Sequence, residues 1–330
     1  MAAPKRRESR DTGRNIPVMD ALAVILERPE RLALSRLTLT PAGAADAVVA
    51  TSWSGISTGT ERLLWSGRMP PFPGMGYPLV PGYESVGTVV EAGADAPVRI
   101  GQTVFVPGAR CFGAVRGLFG GAASHLVAPA ARLVPVDPAL GDRACLIALA
   151  ATAYRALGGL RPGATPLIVG HGVLGRLLAR LSVAAGAEPT VWEMDPARRE
   201  GAPGYAVLAP EDDARRDYAV ITDVSGDASG LDGLIARLVP GGEIVLAGFY
   251  EAPLSFAFPP AFMREARIRI SAEFRPEDLS AVTALVEGGR LSLDGLITHR
   301  APAVQAQDAY RTAFADPACL KMILDWRDAA

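Results

Sequence analysis

A glycine-rich turn between a short apolar run and an amphipathic segment constrains the fold of this chain more than any other feature. Residues 167–169 are Leu-Ile-Val, and they lead directly into Gly170, Gly172 and Gly175. The leucines within 177–181 then repeat at helical spacing. A strand, a G-x-G-x-x-G turn and a helix in this order form the dinucleotide-binding fingerprint. The stretch therefore predicts a βαβ unit whose helix N-terminus faces a pyrophosphate.

An acidic residue follows the turn at the expected distance. The next predicted strand, residues 189–193, ends in Glu193, 18 residues after Gly175, where the fingerprint has a carboxylate for the ribose hydroxyls. Because a carboxylate repels a 2′-phosphate, Glu193 indicates NAD. Arg198 and Arg199 are near enough in sequence to hold a 2′-phosphate, so NADP stays an alternative. The cofactor contacts predicted from this region are Gly170, Gly172, Val173, Leu174, Gly175, Glu193 and Arg198.

Composition narrows the class of protein. A chain of 330 residues with 49% apolar and 21% charged residues predicts two globular domains, and a net charge of −2 gives no reason to expect a nucleic-acid partner. Cys111, Cys145 and Cys319 are too few and too scattered for a disulfide framework or a C-x-x-C metal site, which fits a reducing cytoplasm. The most apolar run, residues 144–154, is too short to span a bilayer.

The first 18 residues differ from the rest. They carry five Lys and Arg residues among Ser, Thr, Gly and Pro, without the apolar core of a secretory signal. A segment so poor in large apolar groups cannot offset the entropy of its own ordering, so we predict a disordered basic arm. A transit-like or membrane-touching role is the alternative, and Met19 is a candidate second start site.

Two patterns follow one another along the chain. Residues 69–82 hold five prolines and three glycines, which exclude a helix or central strand and predict an ordered, irregular loop. Around that loop, short apolar runs predict a β-rich unit with strands at 22–26, 32–39, 47–52, 84–91, 103–107 and 120–129.

From about residue 150 the pattern alternates between helix and strand. A helix is predicted at 142–160, and the nucleotide-binding pattern continues with strands at 218–223, 242–248 and 267–274 and a helix at 276–287. The tail from residue 291 predicts short strands and a final helix through Trp326. We therefore expect a β-rich domain that is interrupted by a nucleotide-binding domain and rejoined by the C-terminus.

Three further segments resemble the medium-chain dehydrogenase/reductase superfamily of alcohol-dehydrogenase-like enzymes. Residues 81–87, Pro-Gly-Tyr-Glu-Ser-Val-Gly, are similar to its Pro-Gly-His-Glu-x-x-Gly segment, 101–104 to its Gly-Asp-x-Val turn, and 152–157 to its Thr-Ala-x-x-Ala-Leu helix. The resemblance implies an α/β fold in which a Rossmann doubly wound parallel-sheet domain (150–272) interrupts a β-rich GroES-like substrate domain (19–149 and 273–330).

The departures from that superfamily concern its metal. Zinc members hold the catalytic ion with a Cys of a Cys-Gly-Ile-Cys loop, the His of the Gly-His-Glu segment and a later Cys or acid. Here the loop is Ser54-Gly55-Ile56-Ser57, the His position is Tyr83, and the third position falls near Ala150 or Ala151. Hydroxyl groups are poor zinc ligands at neutral pH, and the structural-zinc region retains only Cys111. We expect no bound zinc.

Without a metal, hydroxyl groups have to hydrogen-bond the alcohol oxygen and move its proton. We hypothesise that Tyr83 and Ser57 hydrogen-bond the substrate hydroxyl and relay its proton toward the ribose and solvent; packing of an emptied zinc cavity is the alternative. A tyrosine with its ordinary pKa of about 10 is a poor base and would need a cationic neighbour or a relay. Glu61 is expected to orient backbone. The full set of catalytic candidates is Ser57, Thr58, Thr60, Tyr83, Glu84 and His125.

Two longer segments, 53–87 and 319–326, resemble a branch of the superfamily that works in bacteriochlorophyll synthesis. This resemblance implies oxidation of the 1-hydroxyethyl group of a magnesium chlorin or bacteriochlorin to acetyl, with NAD taking the hydride, and a location in the cytoplasm or at the edge of photosynthetic membranes. A planar tetrapyrrole needs a broad apolar cleft, and we predict that the loop of residues 69–82 covers this cleft as a lid. The alternative is that the loop is a rigid connector with its apolar groups tucked under. The predicted lid residues are Trp65, Met69, Phe72, Met75 and Tyr77.

The resemblance also implies the remaining cofactor contacts and an assembly. A homodimer would join the edges of the nucleotide-domain sheets around residues 242–256. Two other functions stay open: an NADPH-dependent enone or quinone reductase of the same superfamily, and a non-catalytic dinucleotide-binding sensor. The resemblance places Thr152 beside the nicotinamide. The ends of the predicted strands add Val224, Ser225, Ala247, Gly248, Phe249, Phe274 and Arg275 to the cofactor contacts.

Overall fold

The computed structural model describes residues 19–329, so the predicted basic arm of residues 1–18 lies outside it. Within the described range, strands form three sheets, and four short 3₁₀ segments supplement the α-helices. The strands are β1 (Asp20–Arg28), β2 (Arg31–Thr38), β3 (Asp46–Ile56), β4 (Leu79–Val80), β5 (Ser85–Ala92), β6 (Thr103–Val106), β7 (Arg116–Gly117), β8 (His125–Pro129), β9 (Val134–Pro135), β10 (Leu167–Val169), β11 (Thr190–Trp192), β12 (Ala206–Leu208), β13 (Tyr218–Asp223), β14 (Leu238–Leu246), β15 (Arg267–Ile270), β16 (His299–Pro302) and β17 (Met322–Asp325). The helices are α1 (Thr60–Ser66), α2 (Ile147–Leu157), α3 (Val173–Ala184), α4 (Leu231–Ile235), α5 (Phe258–Met263), α6 (Pro276–Glu287) and α7 (Ala306–Ala315).

Six parallel strands form the doubly wound sheet expected around the glycine turn. Their order is β12-β11-β10-β13-β14-β15, and every neighbouring pair runs parallel. Val169, the last residue of β10, is in register with Trp192 on one side and Asp223 on the other. The chain order reverses between β10 and β13, and open α/β sheets bind ligands at such a switch point. The fold class is therefore α/β with a Rossmann sheet.

The β-rich part contains two sheets. A seven-stranded sheet has the order β16-β17-β3-β5-β6-β9, with β8 also paired to β3, and a four-stranded sheet has the order β2-β1-β4-β7. Because β16 and β17 enter the first of these sheets, the C-terminus rejoins the N-terminal part. All strands of the parallel sheet fall within 150–272, and this supports the division at those boundaries, which remains a proposal.

The predicted final helix through Trp326 is wrong. Residues 322–325 form β17, which pairs antiparallel with β3 and parallel with β16. Met322, Ile323 and Leu324 are all buried, because this strand lies inside the sheet. A run of apolar residues this short has no period that separates strand from helix.

Helix α2 joins the two parts of the molecule. Its six buried residues are mostly alanines, and their small side chains let it contact α3, α6 and the 3₁₀ segment before it. The core around α2 includes Phe105 from the seven-stranded sheet and Ile168 from the parallel sheet. The helix predicted at 142–160 begins later than expected, because residues 138–146 are 3₁₀ with a break at Gly141 (φ 56°). The cleft between the two sheets opens beside α2.

Membrane-spanning helices are not found in residues 19–329, since no helix there is both long and apolar enough to cross a bilayer.

Candidate functional site

A cavity of about 970 Å³ lies between the parallel sheet and the β-rich part. One wall contains the glycine turn and the carboxyl ends of β13 and β14. The other wall contains residues 57–60, Tyr83 and the loop after β6. The cavity thus brings most of the predicted cofactor contacts and the predicted catalytic hydroxyls to one site, whereas Gly170, Glu193 and Arg198 do not line it.

Each glycine of the turn has its own steric role. Gly170 has a φ of 103°, a conformation that disfavours any residue with a Cβ. A Cβ on Gly175 would collide with the carbonyl oxygen of Gly170, so the helix can pack this closely only with glycine there. A Cβ on Gly172 would meet nothing within 4 Å, and it would occupy open space in front of the N-terminus of α3. That empty space and its free N–H groups suit the phosphates of a dinucleotide.

His171 lies inside the turn but faces away from the cavity. It is completely buried, with Nδ1 2.6 Å from the carbonyl oxygen of Arg198 and Nε2 2.9 Å from the hydroxyl of Tyr205. Burial, helped by the charge of nearby Arg176, lowers its pKa to about 4. The imidazole is therefore neutral, and its two hydrogen bonds fix the turn on the side away from the cavity.

Glu193 follows β11 beside the turn. Its carboxylate accepts hydrogen bonds from the backbone N–H of His171 (3.0 Å) and Asp195 (2.9 Å). Arg198 donates Nε and Nη2 to the carbonyl oxygen of Pro317 at 3.1 and 2.9 Å, and Arg199 donates Nε to the carbonyl oxygen of Glu193 at 2.8 Å. Both guanidinium groups are thus bonded to backbone oxygens next to the predicted ribose position.

The other predicted cofactor contacts divide into two groups. Ser225 donates its N–H to the Asp223 carboxylate, and Arg275 caps α6 through Asp278; neither lines the cavity. Thr152 bonds the carbonyl oxygen of Ala148 one turn earlier in α2. The contacts that line the cavity are Thr152, Gly172, Val173, Leu174, Gly175, Val224, Ala247, Gly248, Phe249 and Phe274.

Two hydroxyl groups meet where the zinc ligands of the superfamily would lie. The Tyr83 hydroxyl donates to Ser57 Oγ at 2.8 Å, and both residues line the cavity. The Tyr83 ring packs edge-on against Phe119, with centroids 5.6 Å apart. Burial, followed by the charge of Glu84, raises the pKa of Tyr83 well above its usual range. The phenol therefore stays protonated at neutral pH and acts as a hydrogen-bond donor.

The two serines of residues 54–57 have different partners. Ser54 Oγ accepts a hydrogen bond from Trp326 Nε1 at 2.8 Å, which ties β3 to the end of β17. Thr58 and Thr60 line the cavity together with Ser57, at the start of α1. Of the two serines, therefore, Ser57 lines the cavity and Ser54 does not.

Glu61 is buried behind Ser57. Its Oε1 accepts a hydrogen bond from the backbone N–H of Ser57 (3.0 Å), and its Oε2 accepts one from the hydroxyl of Tyr310 (2.6 Å). Burial raises the pKa of Glu61 to about 7. Its contacts support the expected orienting role, because it fixes the loop that carries Ser57.

Sequence reasoning missed Lys321. Its ammonium group forms an ion pair with Glu84, both side chains are almost inaccessible, and Lys321 also lines the cavity. Burial raises the pKa of Glu84, and the Lys321 charge opposes that effect. A signal was present, because Lys5 and Lys321 are the only lysines of a chain in which all other cationic side chains are arginines.

The residues at the zinc position do not form a metal site. Nowhere in residues 19–329 do three His, Cys, Asp or Glu side chains converge as a set that could hold a metal ion. Ala150 and Ala151 are fully buried in α2, and Cys111 is buried with its sulfur accepting from the N–H of Val127 at 3.4 Å. The donor set therefore does not fit zinc.

The predicted lid lies only partly at the cavity. Met69 and Phe72 line it, whereas Trp65 packs on Tyr310 and Met75 joins the same core. Tyr77 donates its hydroxyl to the carbonyl oxygen of Leu64, so much of the loop acts as the rigid connector of the alternative interpretation.

His125 starts β8 and has Nδ1 3.3 Å from Ser124 Oγ. Partial burial lowers its pKa. It is not among the cavity-lining residues, so the structure does not bring it together with Ser57 and Tyr83.

Comparison with known proteins agrees with this geometry. Residues 43–138 match the alcohol dehydrogenase GroES-like domain. The chain is 59% identical, over 94% of its length and 100% of the relative's, to the 2-desacetyl-2-hydroxyethyl bacteriochlorophyllide A dehydrogenase of Rhodobacter capsulatus.

Two solved structures share the fold. An Escherichia coli alcohol dehydrogenase complexed with NADH has a TM-score of 0.80 at 21% identity, covering 93% of this chain and 99% of its own. Acetophenone reductase from Geotrichum candidum, in complex with NAD, has a TM-score of 0.79 at 21% identity, covering 95% and 99%. The chain belongs to the bacteriochlorophyllide dehydrogenase family of the medium-chain dehydrogenase/reductase superfamily.

Proposed function

We propose that this protein oxidises the 3-(1-hydroxyethyl) group of a bacteriochlorophyllide to a 3-acetyl group, with NAD as hydride acceptor and without zinc. The observation that carries the proposal is the hydroxyl pair of Tyr83 and Ser57, which lines the same cavity as the glycine turn. The substrate is that of the 59% identical relative, by its name.

The preference for NAD rests on the groups near the ribose position. Glu193 presents a carboxylate that two backbone N–H groups hold in place. The guanidinium groups of Arg198 and Arg199 are engaged with backbone oxygens, which leaves them less available to bind a 2′-phosphate. A bound nicotinamide dinucleotide supplies the hydride acceptor, and residues 170–175 and Glu193 would hold it.

The hydroxyl pair supplies the donors for the alcohol oxygen. Because Tyr83 donates to Ser57 Oγ, the hydroxyl hydrogen of Ser57 is available to the substrate oxygen. Hydrogen bonds in such a chain strengthen one another, so the Tyr83 bond makes Ser57 a better donor to a developing alkoxide. The proton that the alcohol loses goes to solvent water, which reaches the cavity on the side of half-buried Thr58, while Ser57 keeps its hydrogen bond to the substrate oxygen.

Zinc independence rests on the chemistry of the available donors. A hydroxyl pair occupies the position of two zinc ligands, and alanines lie near the third. Hydroxyl donors stabilise a developing alkoxide without a Lewis acid, as oxyanion sites do.

The direct test is anaerobic incubation of metal-stripped protein with 3-hydroxyethyl bacteriochlorophyllide a and NAD. Conjugation of a new carbonyl with the macrocycle shifts the red-most absorbance band, so we expect that shift without added zinc and faster with NAD than with NADP. Turnover only after zinc is restored would refute zinc independence. NAD binding without any pigment turnover would favour the enone reductase or the sensor.

A hydroxyl deletion tests the proposed donors. Tyr83→Phe removes the donor to Ser57 and should lower kcat by up to about tenfold, since a hydrogen bond between neutral groups is worth roughly 0.5–1.5 kcal/mol. Tyr218→Phe is the matched control, because its hydroxyl also donates to a side chain, that of Asp213, and does not line the cavity. Unchanged kcat in Tyr83→Phe would contradict the role of the pair.

We also propose a homodimer, but along a different edge from the predicted residues 242–256. Strand β14 is interior, and β15 is the edge of the parallel sheet. Ile270 on β15 is 77% exposed, and Phe258 and Met263 on α5 are 67% and 74% exposed. Ile270→Glu should dissociate the dimer, as measured by light scattering, whereas a monomeric wild type would refute the proposed dimer.

We also propose a location in the cytoplasm beside photosynthetic membranes, which cell fractionation tests.

A further inference from the structure

Three cationic side chains line the cavity, and they differ in their partners. Lys321 is buried at the base of the cavity and paired with Glu84. Arg110 and Arg132 are exposed, and neither forms a salt bridge with any carboxylate of residues 19–329. Two unpaired guanidinium groups therefore lie at the solvent side of a substrate cavity.

Both arginines belong to the same wall. Arg110 lies in the loop after β6, and Arg132 ends the 3₁₀ turn that follows β8. Arg132 Nη2 donates to the carbonyl oxygen of Pro107 at 3.3 Å, which ties its guanidinium group to the loop that carries Arg110. The opposite wall carries the exposed carboxylate of Glu273. The charge at the mouth is therefore asymmetric, and an anionic ligand group is attracted only to the arginine wall.

The pigment of the proposed reaction has a matching charge. A bacteriochlorophyllide is an apolar plate that carries one free propionic acid, because the long-chain ester of a bacteriochlorophyll is absent. At neutral pH this acid is a carboxylate. Guanidinium groups bind carboxylates through paired, charge-assisted N–H···O bonds.

We propose that Arg110 and Arg132 form a carboxylate subsite that binds the free propionate of the pigment and makes the enzyme selective for the acid over its esters. The subsite rests on the proposed function. With the propionate at the mouth, the macrocycle lies along the apolar surfaces of Met69, Phe72 and Phe119, and the reacting hydroxyethyl group extends inward to Ser57 and Tyr83.

The pyrophosphate of the dinucleotide is the other anion that enters the cavity. It has its own site at the glycine turn, where the space in front of Gly172 is open. Arg110 and Arg132 lie on the β-rich wall, on elements other than that turn. The KM for NAD should therefore stay unchanged when these arginines are replaced, and measuring it shows whether they bind the pigment or the dinucleotide.

The test compares the free acid of the pigment with its methyl ester, which keeps the macrocycle and removes the charge. Wild type, Arg110→Gln, Arg132→Gln and the double variant are assayed for kcat/KM on both pigments. We expect the acid-to-ester ratio of kcat/KM to fall about tenfold in each single variant and further in the double variant. Added salt should lower the wild-type ratio by screening. Arg36→Gln, exposed on β2 and away from the cavity, should keep the wild-type ratio.

The outcomes separate this subsite from the proposed function. Equal wild-type kcat/KM for acid and ester, or a double variant with the wild-type ratio, overturns the subsite and leaves the oxidation intact. A raised KM for NAD with an unchanged pigment ratio assigns the arginines to the dinucleotide and also overturns the subsite. Failure of the wild type to oxidise either pigment overturns the proposed function, and the subsite with it.

Discussion

Two regions face each other across the cavity and are built in opposite ways. The glycine turn is six consecutive residues, 170–175, and it offers backbone N–H groups and empty space. The buried charge cluster, which consists of Glu61, Glu84, Tyr310 and Lys321, draws its side chains from four distant segments. The turn depends on the absence of side chains, whereas the cluster depends on each buried charge or hydroxyl having its partner. A single substitution in the turn should therefore affect only its immediate surroundings, whereas a substitution in the cluster should also destabilise the partners that it leaves without a bond.

The largest effect is expected from Lys321→Met. This change leaves Glu84 buried without its cation, and breaking one side of a buried ion pair costs about 3–5 kcal/mol. Urea unfolding at pH 8, where an unpaired carboxylate is ionised most readily, measures the loss.

The double variant Glu84→Gln/Lys321→Met is the control for that prediction. It removes both charges, so it should recover much of the stability lost in Lys321→Met. If the stability losses of the single variants Glu84→Gln and Lys321→Met simply add in the double variant, the ion pair does not explain the burial of either group.

The next effect is a pH dependence that Glu61 causes. Its pKa is about 7 in the folded protein against an ordinary value of 4.5, so the folded state holds this proton more tightly than the unfolded state. The stabilisation is full below pH 4.5 and is lost as the pH rises through about 7, by roughly 3 kcal/mol. Glu61→Gln should remove that loss, as shown by the free energy of unfolding measured from pH 4.5 to 8.

Glu211→Gln, an exposed carboxylate, is the matched control and should keep the wild-type slope. A wild-type slope in Glu61→Gln would mean that Glu61 is already ionised well below pH 7.

A smaller stability effect is expected in the turn. Gly175→Ala places a Cβ against the carbonyl oxygen of Gly170, and relief of this overlap moves α3 off β10 at a cost of about 1–3 kcal/mol. Thermal unfolding of the protein without cofactor detects this. Wild-type stability would show that the turn relaxes freely.

The smallest energetic change, and the most selective one, is expected from Gly172→Ala. The new Cβ meets nothing within 4 Å and the φ of −71° suits alanine, so the melting temperature should stay unchanged. The methyl group occupies the space in front of α3, and the dissociation constant for NAD should rise about tenfold, or roughly 1.4 kcal/mol. Equal NAD affinity in a fluorescence titration would place the dinucleotide elsewhere.

The sequence by itself determined the parts that local pattern encodes. The glycine turn, the parallel strands around it and the α6 helix at 276–287 were predicted because each depends on neighbours in the chain. The family resemblance likewise predicted that Ser57 and Tyr83 stand at positions that hold zinc ligands in other members, and this stays a prediction.

Tertiary structure decided what distant residues do to one another. The Lys321–Glu84 pair joins the residue before β17 to the residue before β5, and no spacing within either segment predicts it. Trp65 and Tyr77 were predicted at the cleft, yet they pack into the core because Tyr310 and the carbonyl of Leu64 lie beside them. The short run 322–325 became a strand because β3 offered a free edge to pair with. A local pattern specifies the faces and turns of a segment, but only the folded chain supplies the partners that bury a charge or complete a sheet.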